Sequence, residues 1–132
     1  MSWTRLRLEL ARGPERPEGS HRIGYELTLP LASDGHMAIE VFRELPELCT
    51  VHRFREDSEE RVGALKHHRG DHWAFTYAGP GAFEENLPRF GQHRLRVGDY
   101  VSVLDAHGRD HAYRIVSAVP APGLTHVTMG AS

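Results

Sequence analysis

The chain has 132 residues, enough for one domain with a real core and no need of metal or disulfide staples. Apolar residues are 39% and charged residues 26%, which excludes a disordered chain, and a formal charge of −2 excludes a strongly basic nucleic-acid clamp. A single cysteine, Cys49, excludes an internal disulfide framework and a cysteine-rich zinc site.

Taken in chain order, the dominant hydrophobic period is two. Leu6, Leu8 and Leu10 alternate with Arg5, Arg7 and Glu9, and Tyr25, Leu27, Leu29 and Leu31 alternate with Glu26, Thr28 and Pro30. Each pattern predicts a strand with one buried and one wet face, over 3–12 and 21–31. The breaker-rich stretch 12–20 between them predicts a flexible loop. Met37, Val41, Phe42 and Leu45 recur at helical spacing and predict one short helix over about 35–45, capped by Ser33 or Asp34 and stopped by Pro46.

Residues 48–55 read as a strand with Cys49 and Val51 on one face. Val62 to Lys66 read as a short strand, and Arg69-Gly70-Asp71 as a tight turn. Trp73, Phe75 and Tyr77 then form an aromatic strand face, read as core before ligand wall. Three glycines and two prolines make 79–91 a second flexible loop. Leu95, Val97, Val101 and Val103 predict a strand with a bend at Gly98-Asp99. Residues 105–110 predict a hairpin turn, Tyr113, Ile115 and Val119 the returning strand, and 124–129 a weak last one.

About eight short strands and one helix in a single domain, 1–132, predict a mainly β fold, a small β-barrel or β-sandwich. The helix covers an edge or one open end. A covered mouth leaves the other as the default pocket.

Two biases stand out: ten histidines, and fifteen arginines against the single Lys66. The densest histidine group is His67, His68, Asp71 and His72. Imidazole and carboxylate groups on one turn could converge on a divalent ion, and the plainer reading is a polar hairpin end. Arg94, Arg96 and Arg114, together with Arg5 and Arg7, are expected on wet strand faces, where guanidinium forks suit anions or a partner. The plainer reading is cross-strand ion pairing. Phe90 and Tyr100 are the aromatics expected to be exposed beside them. Protonation of many histidines near pH 6 predicts pH-dependent solubility or association. Cys49 reads as a small core residue before a nucleophile. No catalytic nucleophile motif, nucleotide-binding glycine loop or CxxC pair occurs in the chain.

Several strings carry a likeness. They are Gly24-Tyr25-Glu26-Leu27, Cys49-x-Val51-x-Arg53-Phe54, Trp73-Ala74-Phe75-x-Tyr77, His93-Arg94-Leu95 and Val97-Gly98-Asp99-Tyr100-Val101-Ser102-Val103. Asp105-x-x-Gly108, His111 and Tyr113-Arg114-Ile115-Val116 complete them. Over roughly 4–120 the chain resembles a family of small uncharacterised bacterial proteins with no assigned function. The resemblance implies a complete domain and transfers no catalytic residue.

The expectation is a non-enzymatic cytoplasmic barrel module that binds a protein partner or a small ligand. Arginine-lined strand faces and the 79–91 loop are its expected contact surface. The N-terminus lacks an apolar leader, and no apolar run is long enough to span a membrane. No cofactor is expected. A metal at His67, His68, Asp71 and His72 is the alternative, and weak nucleic-acid binding through Arg94, Arg96 and Arg114 a further, disfavoured one. Monomer and homodimer both stay open.

Overall fold

The computed structural model describes residues 1–14 and 16–124. Leucines that alternate with charged residues build β1 (Ser2–Leu10), which pairs antiparallel with β2 (Ser20–Leu31). A turn through Gly35 then leads into α1 (Ile39–Glu44) and a 3-10 turn at Pro46–Leu48. The chain continues through β3 (Thr50–Phe54), β4 (Arg61–His68), β5 (His72–Tyr77), β6 (Phe83–Leu87), β7 (Tyr100–Leu104) and β8 (Asp110–Pro120).

Each strand pairs antiparallel with the next, and β8 returns to β1, so the sheet closes as an eight-stranded up-and-down barrel. Closure settles the choice between barrel and sandwich. The seam between β6 and β7 is the narrowest, with Asn86 opposite Leu104 as its one register pair among the described residues. Register shifts between Glu9 and Leu10 toward β2, and between Arg7 and Leu8 toward β8, mark the bulges at which β1 turns the sheet.

One face of every strand fills the barrel. Leu6 and Leu8 of β1 meet Leu27 and Tyr25 of β2 in register, and all four are buried. Trp73, Phe75 and Tyr77 of β5 are buried too, as their alternation predicts. Full burial of such a side chain contributes about 2–3 kcal/mol through the water-exposed surface it removes. Gly63 of β4 carries no side chain because the Tyr77 ring lies over it. A Cβ there would stand 2.7 Å from Tyr77 Cδ1.

The helix closes one end. Phe42 packs edge-on against Trp73 with ring centroids 5.1 Å apart, and Met37, Val41, Phe90 and Leu95 are buried with them. The helix is shorter than its spacing predicts. Ser33 and Asp34 do not cap it, because a tight turn occupies 32–36: Asp34 accepts the His36 N–H at 3.0 Å and Ala32 N–H bonds to His36 O. Its N-terminal flanking residue is Ala38, with no side-chain cap.

Three further expectations are corrected. The 79–91 stretch is not one loop, since its middle is β6 and its end is a 3-10 turn at Phe90–Gln92. Leu95 and Val97 precede β7 rather than belong to it, and Gly98 takes a positive φ of 97° in the turn before that strand. Phe90 is buried, while Tyr100 is 58% exposed. The strand expected at 124–129 lies outside the described residues beyond Leu124. No helix of the described residues is long and apolar enough to cross a membrane.

Candidate functional site

Opposite α1 the barrel stays open. The mouth holds a cavity of about 750 Å³, lined by the end of β1, residues 11–14 and Arg16, Ile23 and Tyr25 of β2, and residues of β3, β6, β7 and β8. Eight-stranded barrels have an interior wide enough for side chains or one small ligand. Here the filling stops part-way, because the inward positions change character.

Along β3 and the residues that flank it the inward face runs Cys49, Val51, Arg53, Arg55, so an apolar face turns basic at the mouth. Val51 opposes Leu27, and Arg53 opposes Tyr25. On β6 the inward position opposite Phe75 is Glu85, whose side chain is only 3% exposed. A buried carboxylate needs charge and hydrogen-bond partners. It receives both. Tyr77 donates its hydroxyl to Glu85 Oε1 at 2.8 Å, and Tyr25 donates to Oε2 at 2.9 Å. Arg53 Nε donates to Oε2 at 3.2 Å, and Arg55 Nη2 stands 3.8 Å away.

Arg55 is otherwise held by neutral acceptors. Its Nη2 donates to the Tyr25 and Tyr113 hydroxyls at 3.1 and 3.2 Å, and its Nη1 to the Gly24 and Phe54 carbonyls. Its guanidinium also lies 5.2 Å from the Tyr25 ring centroid. Arg53 stands over Phe83, which stacks on Tyr77 at 4.7 Å. Burial, reinforced by the Glu85 charge and by a neighbouring tyrosine in each case, pushes the Tyr25 and Tyr77 phenols far above their ordinary pKa. Both stay protonated at neutral pH and act as hydrogen-bond donors.

The rim is polar. Asp105 accepts the His107 and Arg109 N–H groups at 2.8 and 3.0 Å and pairs with His111 Nε2 at 2.9 Å. The His111 hydrogen bond, with those backbone donors, draws the Asp105 carboxyl down to about 2. Arg16 in the β1–β2 connection pairs with Glu56. Leu10, Ile23, Val103 and Ala112 supply apolar wall between floor and rim.

The residues singled out from the sequence lie elsewhere. His67 Nε2 pairs with Asp71 at 3.0 Å and stacks on Trp73 at 4.0 Å, while His68 Nε2 reaches Glu84 at 3.2 Å. Trp73 Nε1 donates to the same Asp71 oxygen at 3.1 Å. His72 faces His68 in register across the β4–β5 hairpin. His67 and His68 thus each have a carboxylate neighbour of their own, and His52 with Glu60 and His36 with Asp34 repeat the pattern. Among the described residues, no three His, Cys, Asp or Glu side chains are grouped to hold a metal ion.

Arg94 and Arg96 are not on a strand face; they are exposed in the connection between the Phe90–Gln92 turn and β7. There Arg96 donates to Asp34 O at 3.0 Å. Arg114 is exposed on β8, between Tyr100 of β7 and Glu9 of β1 in register. Arg7 forms the ordinary outer-face pairs, 2.9 Å to Glu9 and 2.9 Å to its cross-strand partner Glu26. Cys49 is fully buried, and burial, with Glu47 adding, pushes its thiol up to about 12.

Arg53, Arg55 and Glu85 form the floor; Arg53 occurs in one of the likeness strings, and none of the three is a candidate site residue in the sequence. A signal was present for the arginines: extending the Cys49–Val51 face by two and four residues places Arg53 and Arg55 inside. Glu85 was hidden because the glycines and prolines around β6 mask a five-residue strand. Comparison with protein-family models, with curated proteins and with solved structures found no match.

Proposed function

We propose that this barrel binds a small molecule in its open mouth, without covalent chemistry. The observation that carries the reading is the cavity of about 750 Å³ over a floor of buried, oriented polar groups. Small-molecule sites are concave, of this size, and combine apolar wall with a few fixed polar groups. A protein partner fits less well, since the polar groups lie at the bottom of a recess rather than on a flat face.

Binding is favoured over turnover by the protonation of the floor. Its phenols are donors rather than bases, and the one thiol, Cys49, is buried just before β3, away from the mouth lining. The single buried cysteine also suits a cytoplasmic location, where no oxidising compartment is needed. The resemblance to small bacterial proteins supplies no activity, so the reading rests on the pocket alone.

The test uses a neutral fluorescent probe, N-phenylnaphthylamine, titrated into the whole protein. The expected result is saturable binding at one site that is lost in Val103→Trp, whose indole would fill the mouth. No saturable binding, or binding that Val103→Trp leaves intact, would overturn the reading.

A further inference from the structure

The floor of the mouth carries an unbalanced charge. Arg53 and Arg55 bring two guanidinium groups, with side chains 21% and 14% exposed, while Glu85 brings one carboxylate. Among the described residues, Glu85 is the one carboxylate that pairs with either arginine. It is also shared with the Tyr25 and Tyr77 hydroxyls, so its acceptor capacity is already well used. Arg55 meets its remaining needs with carbonyl and phenol oxygens, which satisfy geometry and leave its charge standing. Arg53 uses only its Nε, and its two Nη nitrogens have no hydrogen-bond acceptor among the described residues.

A partly buried floor with one positive charge in excess carries a residual desolvation cost, since its two guanidinium side chains are only 21% and 14% exposed. A single negative charge seated beside it removes the cost. At the floor itself a doubly charged group would replace one imbalance by its opposite; Arg12, Arg16 and Arg109, with Asp105 and Asp110, line the mouth farther out. The Arg fork matches the planar geometry of a carboxylate. Above the floor, Leu10, Ile23, Val103 and Ala112 offer apolar surface to the remainder of a ligand.

We infer that the mouth selects a monocarboxylate with an apolar body, its acid group on the Arg53 Nη nitrogens beside the Arg55 charge and its body along the Leu10, Ile23 and Val103 wall. This rests on the mouth being a ligand site. It adds the charge and the polarity of what enters. The Glu85 carboxylate then has a definite part: it cancels one of the two cations and sets the site to accept one negative charge.

Calorimetric titration of the whole protein with decanoate, decanol and decylammonium tests this, with near-ultraviolet circular dichroism to confirm that each variant is folded. Decanoate is expected to bind about tenfold tighter than decanol, and decylammonium weakest, each tenfold step being about 1.4 kcal/mol. Two variants should move the preference in opposite directions. Arg53→Gln removes the excess cation and should bring decanoate down to the level of decanol. Glu85→Gln adds one net positive charge and should widen the decanoate preference. Equal binding of decanoate and decanol by the native protein, or a preference that ignores both substitutions, overturns the charge selection while leaving a mouth that binds apolar molecules. Failure of all three compounds together with the neutral probe would instead remove the site itself.

Discussion

The Tyr77 hydroxyl donates to one oxygen of Glu85 at 2.8 Å, and the two residues belong to neighbouring strands whose other inward positions are apolar. A buried carboxylate bound in this way contributes stability only while its donors stay in place. A hydrogen bond to a charged group is worth more than a neutral one, and an orphaned buried acceptor costs more still. Tyr77→Phe is therefore expected to lower unfolding free energy by about 2 kcal/mol. Tyr25→Phe should cost a similar amount and also loosen Arg55. Because both phenols serve one carboxylate, the double variant should depart from the sum of the singles. Urea titration measures all three, and strict additivity would show that the tyrosines do not act through Glu85.

Gly63 is the structural condition for that contact. Its missing side chain leaves the space in which the Tyr77 ring lies, and a Cβ would also run into the Thr76 carbonyl across the strand pair. Gly63→Ala should cost about 1–3 kcal/mol, the range for overpacking a close-packed interior. It should also displace Tyr77 from Glu85, so Tyr77→Phe should cost less in the Gly63→Ala background than in the native chain. An unchanged cost would place the ring elsewhere.

The rim predicts an acid-side dependence. Asp105 titrates near about 2 in the fold, drawn down first by its hydrogen bond from His111 and then by the Arg109 and His107 backbone N–H groups. An aspartate in an unfolded chain titrates near about 3.9. The folded value is the lower one, so the unfolded chain binds the proton more readily. The contribution of Asp105 is then complete above about pH 4 and is lost as the pH falls toward about 2. Asp105→Asn should flatten the stability profile across that window. A variant whose profile matches the native one from neutral pH to about pH 2 would refute this assignment.

Cys49 should behave as core. Its thiol is pushed up to about 12, chiefly by burial, and has no exposed surface. Aromatic disulfide reagents at about pH 8 should modify it only in molecules that open, so the folded protein should react orders of magnitude more slowly than the denatured one. Rapid modification of the native protein would contradict its placement beneath the helix end.

Much of the barrel was legible because inward and outward residues differ in kind over most strands. Leu6 and Leu8 and Trp73 to Tyr77 announce their faces by alternation alone, whereas in β2 the expected wet positions Thr28 and Pro30 are buried as well as Tyr25, Leu27, Leu29 and Leu31. Where the inward face is polar, alternation misleads. Arg53 and Arg55 resemble surface residues, and Glu85 sits in a short strand among helix and strand breakers. These are the residues that make the mouth. Local chemistry in the sequence cannot report that β3 and β6 face each other across a closed barrel, nor that Tyr25, Tyr77 and Tyr113 point their hydroxyls at one place. The histidines show the reverse case: His67, His68 and His72 are dense in sequence, and the hairpin turns His67 to Asp71 and His68 to Glu84 while His72 stands in register with His68.

The most direct test of the account is an amide-resolved NMR titration with N-phenylnaphthylamine. It asks where on the barrel a small molecule settles. The mouth assignment predicts shifts that cluster at Ile23, Tyr25, Val103 and Tyr113, with Phe42, Trp73 and Leu95 at the helix-closed end unmoved. Shifts centred on that closed end, or none that saturate anywhere, would contradict it.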